Sequence, residues 1–111
     1  MPVILHIARA ADWARAKKSG VYAPQRLAQE GFVHASFLDQ VLAVADALFR
    51  GEPDLVLLVI DPKRLDAPLL VEGGYPHIYG PVEVDAVVAA LDFPPGPGGR
   101  FGWPEGIRAF L

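Results

Sequence analysis

Six consecutive apolar residues, Leu55-Val56-Leu57-Leu58-Val59-Ile60, stand between Asp54 and Asp61. The run is too short for an ordinary helix, and its branched residues favour extended backbone. Side chains on a strand alternate between two faces, so a run with no polar position has to be covered on both. The chain is therefore expected to build a sheet with this strand at its centre.

Other elements follow from their patterns. Val3 to Ala8 predicts a first strand with His6 among apolar neighbours, and His6 is read as structural. Ala10 to Lys18 predicts a helix stopped by Ser19-Gly20, with Trp13 as a core anchor three residues from Ala16. Pro24 opens a short helix through Leu27 to Glu30. Leu38, Val41, Leu42, Ala45, Leu48 and Phe49 recur at helical spacing up to Gly51. Beyond the central strand, Leu69 to Glu72 predicts a short strand before Gly73-Gly74. Tyr75 to Pro81, broken by two prolines, fits an edge strand or an ordered loop. Val82 to Asp85 reads as a turn and Ala86 to Phe93 as a last strand, although its periodicity also permits a helix.

The stretch Glu30 to Gln40 concentrates the chemistry. Gly31 allows a turn, Phe32 to Phe37 predicts a strand, and alternation places Phe32, His34 and Ser36 on one face. Ser36 precedes Asp39 and an apolar helical run, the sequence form of a capping box. Such a junction presents His34 at the mouth of a cleft. Likewise, His77 and Tyr79 face one way.

Composition removes several classes of function. There is no cysteine, which excludes disulfides, thiolate catalysis and cysteine-ligated metals. His6, His34 and His77 are 28 and 43 residues apart, without the close pair of ligands that metal motifs usually provide, so no metal site is expected. A formal net charge of -3, with only Lys17-Lys18 and Lys63-Arg64 adjacent, argues against a broad nucleic-acid surface. No apolar run approaches a membrane span, and Met1 to His6 does not resemble a secretory leader, so a cytoplasmic location is expected. Residues 1–93 are expected to form a single domain. From Pro94 to Gly106, nine of thirteen residues are Pro or Gly. Residues 94–111 therefore read as an irregular tail, pinned back through Phe101, Trp103 and Ile107 to Leu111.

Three blocks carry a resemblance. Gly31-Phe32-Val33-His34-Ala35-Ser36 with Gln40, Asp54 to Leu58 with Asp61, and Pro76-His77-Ile78-Tyr79-Gly80-Pro81 before Asp85-Ala86-Val87 resemble the bacterial family called domain of unknown function 952. Trp13 and Phe49 with Gly51 fit the same pattern, which covers residues 3 to about 93. The resemblance implies an α+β fold of the ADP-ribosyltransferase type: two small, mostly antiparallel sheets around a cleft, with flanking helices. It further implies NAD as substrate, with His34 and Ser36 on a ribose and His77 or Tyr79 packing the nicotinamide ring. Tyr75 joins the binding set. The ribosyl cation formed as nicotinamide leaves would need a carboxylate nearby, for which Glu72 and Glu83 are candidates. Val71 stands where the family often has Trp, and no Ser-Arg follows Glu72. Two readings without turnover remain beside this one: a nucleotide or small-molecule binding protein, and an interaction module whose Phe101-Gly102-Trp103 docks on a partner or a sister copy.

Overall fold

The computed structural model describes residues 2–111. β4 (Leu55–Ile60) lies between β1 (Ile4–Arg9) and β8 (Val87–Asp92), antiparallel to both. Every residue of β4 is buried, and Leu57 to Ile60 are fully sealed from solvent. The reason is that its two faces serve two cores. Val56, Leu58 and Ile60 pack with Trp13 and Ala16 of α1 (Ala10–Ser19), with Tyr22, and with Val33 and Ile78. Leu55, Leu57 and Val59 pack with Val41 and Ala45 of α3 (Val41–Leu48), and with Phe93, Phe101 and Ile107. Each fully buried aliphatic side chain of this kind contributes roughly 1.5–3 kcal/mol through burial.

A second antiparallel sheet has the order β3-β6-β5, from Val33–His34, Tyr75–Ile78 and Leu69–Glu72. A two-stranded ribbon pairs β2 (Val21–Tyr22) with β7 (Val82–Glu83). The molecule is thus a mixed helix-and-strand fold with antiparallel sheets. α2 (Gln25–Glu30) ends at Gly31, whose positive φ of 86° suits glycine and turns the chain into β3.

Several sequence expectations need correction. The strand expected over Phe32 to Phe37 pairs only at Val33 and His34, followed by an isolated bridge at Ser36. Its partner explains the brevity. The Ala35 N–H donates to the Pro76 carbonyl at 3.0 Å, but Pro76 has no N–H to return the bond, and the ladder stops. The segment around Pro76 is accordingly the central strand of its sheet, and β5 is the edge. The capping box is not formed. Leu38 to Gln40 make a turn, the Gln40 side chain accepts from the Phe37 N–H at 2.9 Å and donates to the Gly74 carbonyl at 2.8 Å, and the helix starts at Val41. Val82–Glu83 is a strand, and Val84–Ala86 a single tight helical turn. In the tail, Phe101 is 6% exposed and stacks on Phe93 with ring centres 4.8 Å apart, so it is core and not part of an exposed docking motif. Trp103 remains open at 42%.

Candidate functional site

The two edges of β1 are used differently. The Ala10 N–H donates to the Asp54 carbonyl at 2.8 Å, and Leu5 and Ser36 exchange two backbone bonds of 2.8 Å. In an antiparallel ladder, alternate residues bond to opposite sides. Ile4, His6 and Ala8 therefore bond toward β4, while the N–H and C=O groups of Leu5 and Ile7 point away from it. Only Leu5 meets a partner strand. Continuing the ladder would pair Ile7 with His34, but no bridge forms between them, and Leu5–Ser36 stands as an isolated bridge. The second sheet diverges from the first at this place.

His6 sits in the gap. Its Nδ1 bonds to the His34 carbonyl and its Nε2 lies 2.7 Å from the Tyr22 hydroxyl. A carbonyl only accepts, so Nδ1 carries the proton and Nε2 accepts from Tyr22. Burial pushes the His6 imidazole down to about 4 and raises the Tyr22 phenol.

His34 and His77 are directly opposite each other in the β3–β6 register. Since Pro76 bonds toward β3, His77 bonds toward β5, which makes the histidine pair a non-hydrogen-bonded one. Side chains lie closest at such positions, where the Cα atoms are about 4.5 Å apart. The ring centres are 5.6 Å apart and nearly perpendicular. Phe32 stacks on His77 at 4.1 Å and tilts against His34 at 4.6 Å. His34 has a side chain 48% exposed, and its Nε2 is 3.0 Å from Glu30, whose other oxygen accepts from Arg26 at 2.7 Å. These bonds, that from His34 first, hold the Glu30 carboxyl below its usual range. The His77 side chain is 17% exposed and its Nδ1 is 2.8 Å from Glu72, which also accepts from the Tyr79 hydroxyl. Tyr79 and then His77 keep the Glu72 carboxyl low, and Glu72 in turn raises the Tyr79 phenol. Each imidazole has one nitrogen tied to a carboxylate and the other free of protein partners among the described residues.

A groove of about 1580 Å³ opens along this gap, and Ile7, Phe32, His34, Ser36, Tyr75 and His77 all border it. The sequence-selected residues thus fall into two groups. His34, His77, Ser36 and Tyr75 reach the groove, although Ser36 is 5% exposed and held by its backbone bonds to Leu5. Glu72 and Tyr79 do not border it; they stand behind His77 and orient it. Glu83 lies elsewhere, accepting from the Asp66 N–H at 3.1 Å. Sequence reasoning passed over Phe32, Ile7, Arg26 and the link from His6 to His34. Phe32 could have been found, because it shares the His34 face by simple alternation. Arg26 could have been found too, because it stands four residues before Glu30 on one helix; Ile7 and the link from His6 to His34 depend on pairings between distant segments. Among the described residues there is no cluster of three or more metal-ligating side chains, and no helix is long and apolar enough to cross a membrane.

Comparison with known proteins is consistent in one direction. A family model described as a protein of unknown function, DUF952, matches residues 7–90. The X-ray structure of protein CC0527 from Caulobacter crescentus, a structural-genomics target, is 31% identical with a TM-score of 0.82, covering 90% of this chain and 93% of that one. The solution NMR structure of the same protein gives 28% identity and a TM-score of 0.74, covering 100% and 97%. No curated protein matches.

Proposed function

This chain belongs to the DUF952 family, and from that premise we propose that its groove binds NAD or a closely related nucleotide, with the N-glycosidic bond beside the two histidines as the bond at risk. The observation that carries the reading is the part of β1 at Ile7, which has no partner strand on its outer side beyond the Leu5–Ser36 bridge and borders the same groove as His34, Phe32 and His77. A strand edge without a neighbour offers backbone donors and acceptors to a ligand, and an adjacent donor and acceptor suit a carboxamide such as that of nicotinamide. In this reading His34 and Ser36 address ribose, and Tyr75 and Phe32 supply aromatic surface. The free nitrogen of His34 or His77 accepts the proton of an incoming water or hydroxyl. As that oxygen bonds to the ribose carbon, the glycosidic pair leaves with nicotinamide, neutralising its ring. A fold of the ADP-ribosyltransferase type, which the family resemblance implies, would take the same ligand.

One observation favours a second reading, in which the nucleotide is held without turnover. Among the described groove-lining residues the only carboxylate is Asp12, and it is already paired with Arg15. A ribosyl cation in the groove would thus lack a free carboxylate to stabilise it. Two measurements separate these readings. NAD at a hundredfold its dissociation constant should stabilise the protein by about 2.7 kcal/mol in thermal unfolding, and His34→Ala should remove that gain. Release of nicotinamide then marks catalysis, while a shift without release marks a binding protein. No shift with NAD, ADP-ribose or nicotinamide would overturn both.

A further inference from the structure

We infer that His6 is a positioning residue for this groove: its ring, lodged where the ladder between β1 and Ser36 breaks off, sets the distance between Ile7 and His34. What the gap holds rests on the nucleotide reading above; the positioning itself rests on bonds within the protein.

Beyond the Leu5–Ser36 bridge, β3 and β1 form no further bridge. The next tie is the His6 Nδ1–H donated to the His34 carbonyl. It takes the place of the bond that Ile7 would make in a closed sheet, and so it holds the strands near each other while keeping them apart. The second ring nitrogen fastens this spacer to Tyr22 of the β2–β7 ribbon, a residue that is 3% exposed. One imidazole therefore joins all three sheets, and with the Tyr22 hydroxyl donating it does so as the neutral Nδ1–H tautomer. A protonated ring presents two donors, so the Tyr22 hydroxyl would have to turn round and lose its acceptor. The charged and titratable groups facing the ring are Asp12 from α1, Arg26 from α2, Tyr22 from β2 and His34 from β3. Asp12 favours a proton on His6, whereas Arg26 and His34 oppose it. Burial outweighs them all and keeps the ring neutral well below the usual histidine range.

The ligand-free protein provides the first test. Nitrogen-15 spectra of wild type should show His6 protonated at Nδ1 and bare at Nε2; the opposite tautomer overturns the inference. Amide hydrogen exchange should then show the Ser36 N–H at least tenfold less protected in His6→Phe, which keeps the ring's bulk and loses both bonds. His6→Asn, which retains a donor near the Nδ1 position, should restore most of that protection. Equal protection in all three proteins sinks the inference, and if His6→Phe does not fold, the tautomer still decides. The second test adds NAD. Its affinity should fall at least tenfold in His6→Phe and no more than threefold in His6→Asn, whereas a merely stabilising residue would lower the melting temperature in both and leave the affinity of the folded protein alone. If wild type binds no NAD, the nucleotide reading fails, yet the exchange data still judge His6.

Discussion

The edge of β1 that faces β4 and the edge that faces β3 belong to the same six residues and have opposite characters. Toward β4 the register runs unbroken from Ile4–Ile60 to Arg9–Leu55, between two apolar cores. Toward β3 a single bridge is followed by an imidazole and an open groove. One strand is thus structural on one side and open to a groove on the other. The closed edge anchors the strand, so that the ladder on the other edge can stop after a single bridge. The same contrast separates the two partner strands: β4 is apolar at every position, whereas the β3 segment alternates the half-exposed His34 with the buried Ala35.

The largest effect should come from damaging the closed edge. Leu57 is fully sealed in the core beneath α3, and Leu57→Ala removes its packing and leaves a cavity. A loss of about 2–5 kcal/mol is expected in urea unfolding. If the two edges are as independent as the comparison holds, any Leu57→Ala protein that remains folded should keep its NAD response.

A smaller effect, with a definite pH signature, should arise at the open edge. The His6 imidazole lies at about 4 in the folded protein, against 6.5 as its ordinary value. Above pH 6.5 the ring is neutral in both folded and unfolded chains, and its contribution is fully present. Between pH 6.5 and about 4 the unfolded chain takes up a proton that the folded one refuses, so stability falls as pH falls; below that window the effect is flat. The interval corresponds to about 3 kcal/mol at most. His6→Asn should flatten this part of the profile. A wild-type profile that is already flat from pH 6.5 to 4 would break the contrast, because His6 would then be no more buried than a surface residue.

How much of this could be read from the sequence follows the same division. β4 was legible because six apolar residues leave one solution, and Trp13 with Ala16 was legible because helical spacing places both on the inner face. The pairing of His34 with His77 was not, since two residues 43 positions apart meet only through a register that local pattern does not encode. The length of β3 is fixed by the missing N–H of Pro76, a feature of the partner strand and not of the strand itself. His6 looked structural from its apolar neighbours, and it is, but its two bonds tie that structural role to the site. In the tail, Pro and Gly correctly signalled irregular backbone while hiding that Phe101 completes a core.

The smallest expected effect is at the exposed end of the histidine pair, where it should be visible in titration and nearly invisible in stability. Glu30 is held by His34 Nε2 and by Arg26 at the surface, where solvent and side-chain entropy erode most of the gain from an ion pair. Its carboxyl is lowered first by His34 and then by Arg26, so whatever it contributes is present above its ordinary value of 4.5 and is lost as pH falls through the lower folded value. That window opens at 4.5 and overlaps the foot of the one set by His6, so the part of a pH series between 6.5 and 4.5 reports His6 without Glu30. In carbon-detected NMR, His34→Ala should bring the Glu30 titration back part of the way toward 4.5, with Arg26 keeping the remainder. Glu30→Gln should leave the urea midpoint at pH 7 close to that of wild type, since the amide oxygen can still accept from His34. A large loss of stability in Glu30→Gln would mean that the open edge is braced from outside by this pair, and the division between a structural and an available side of β1 would have to be redrawn to include α2.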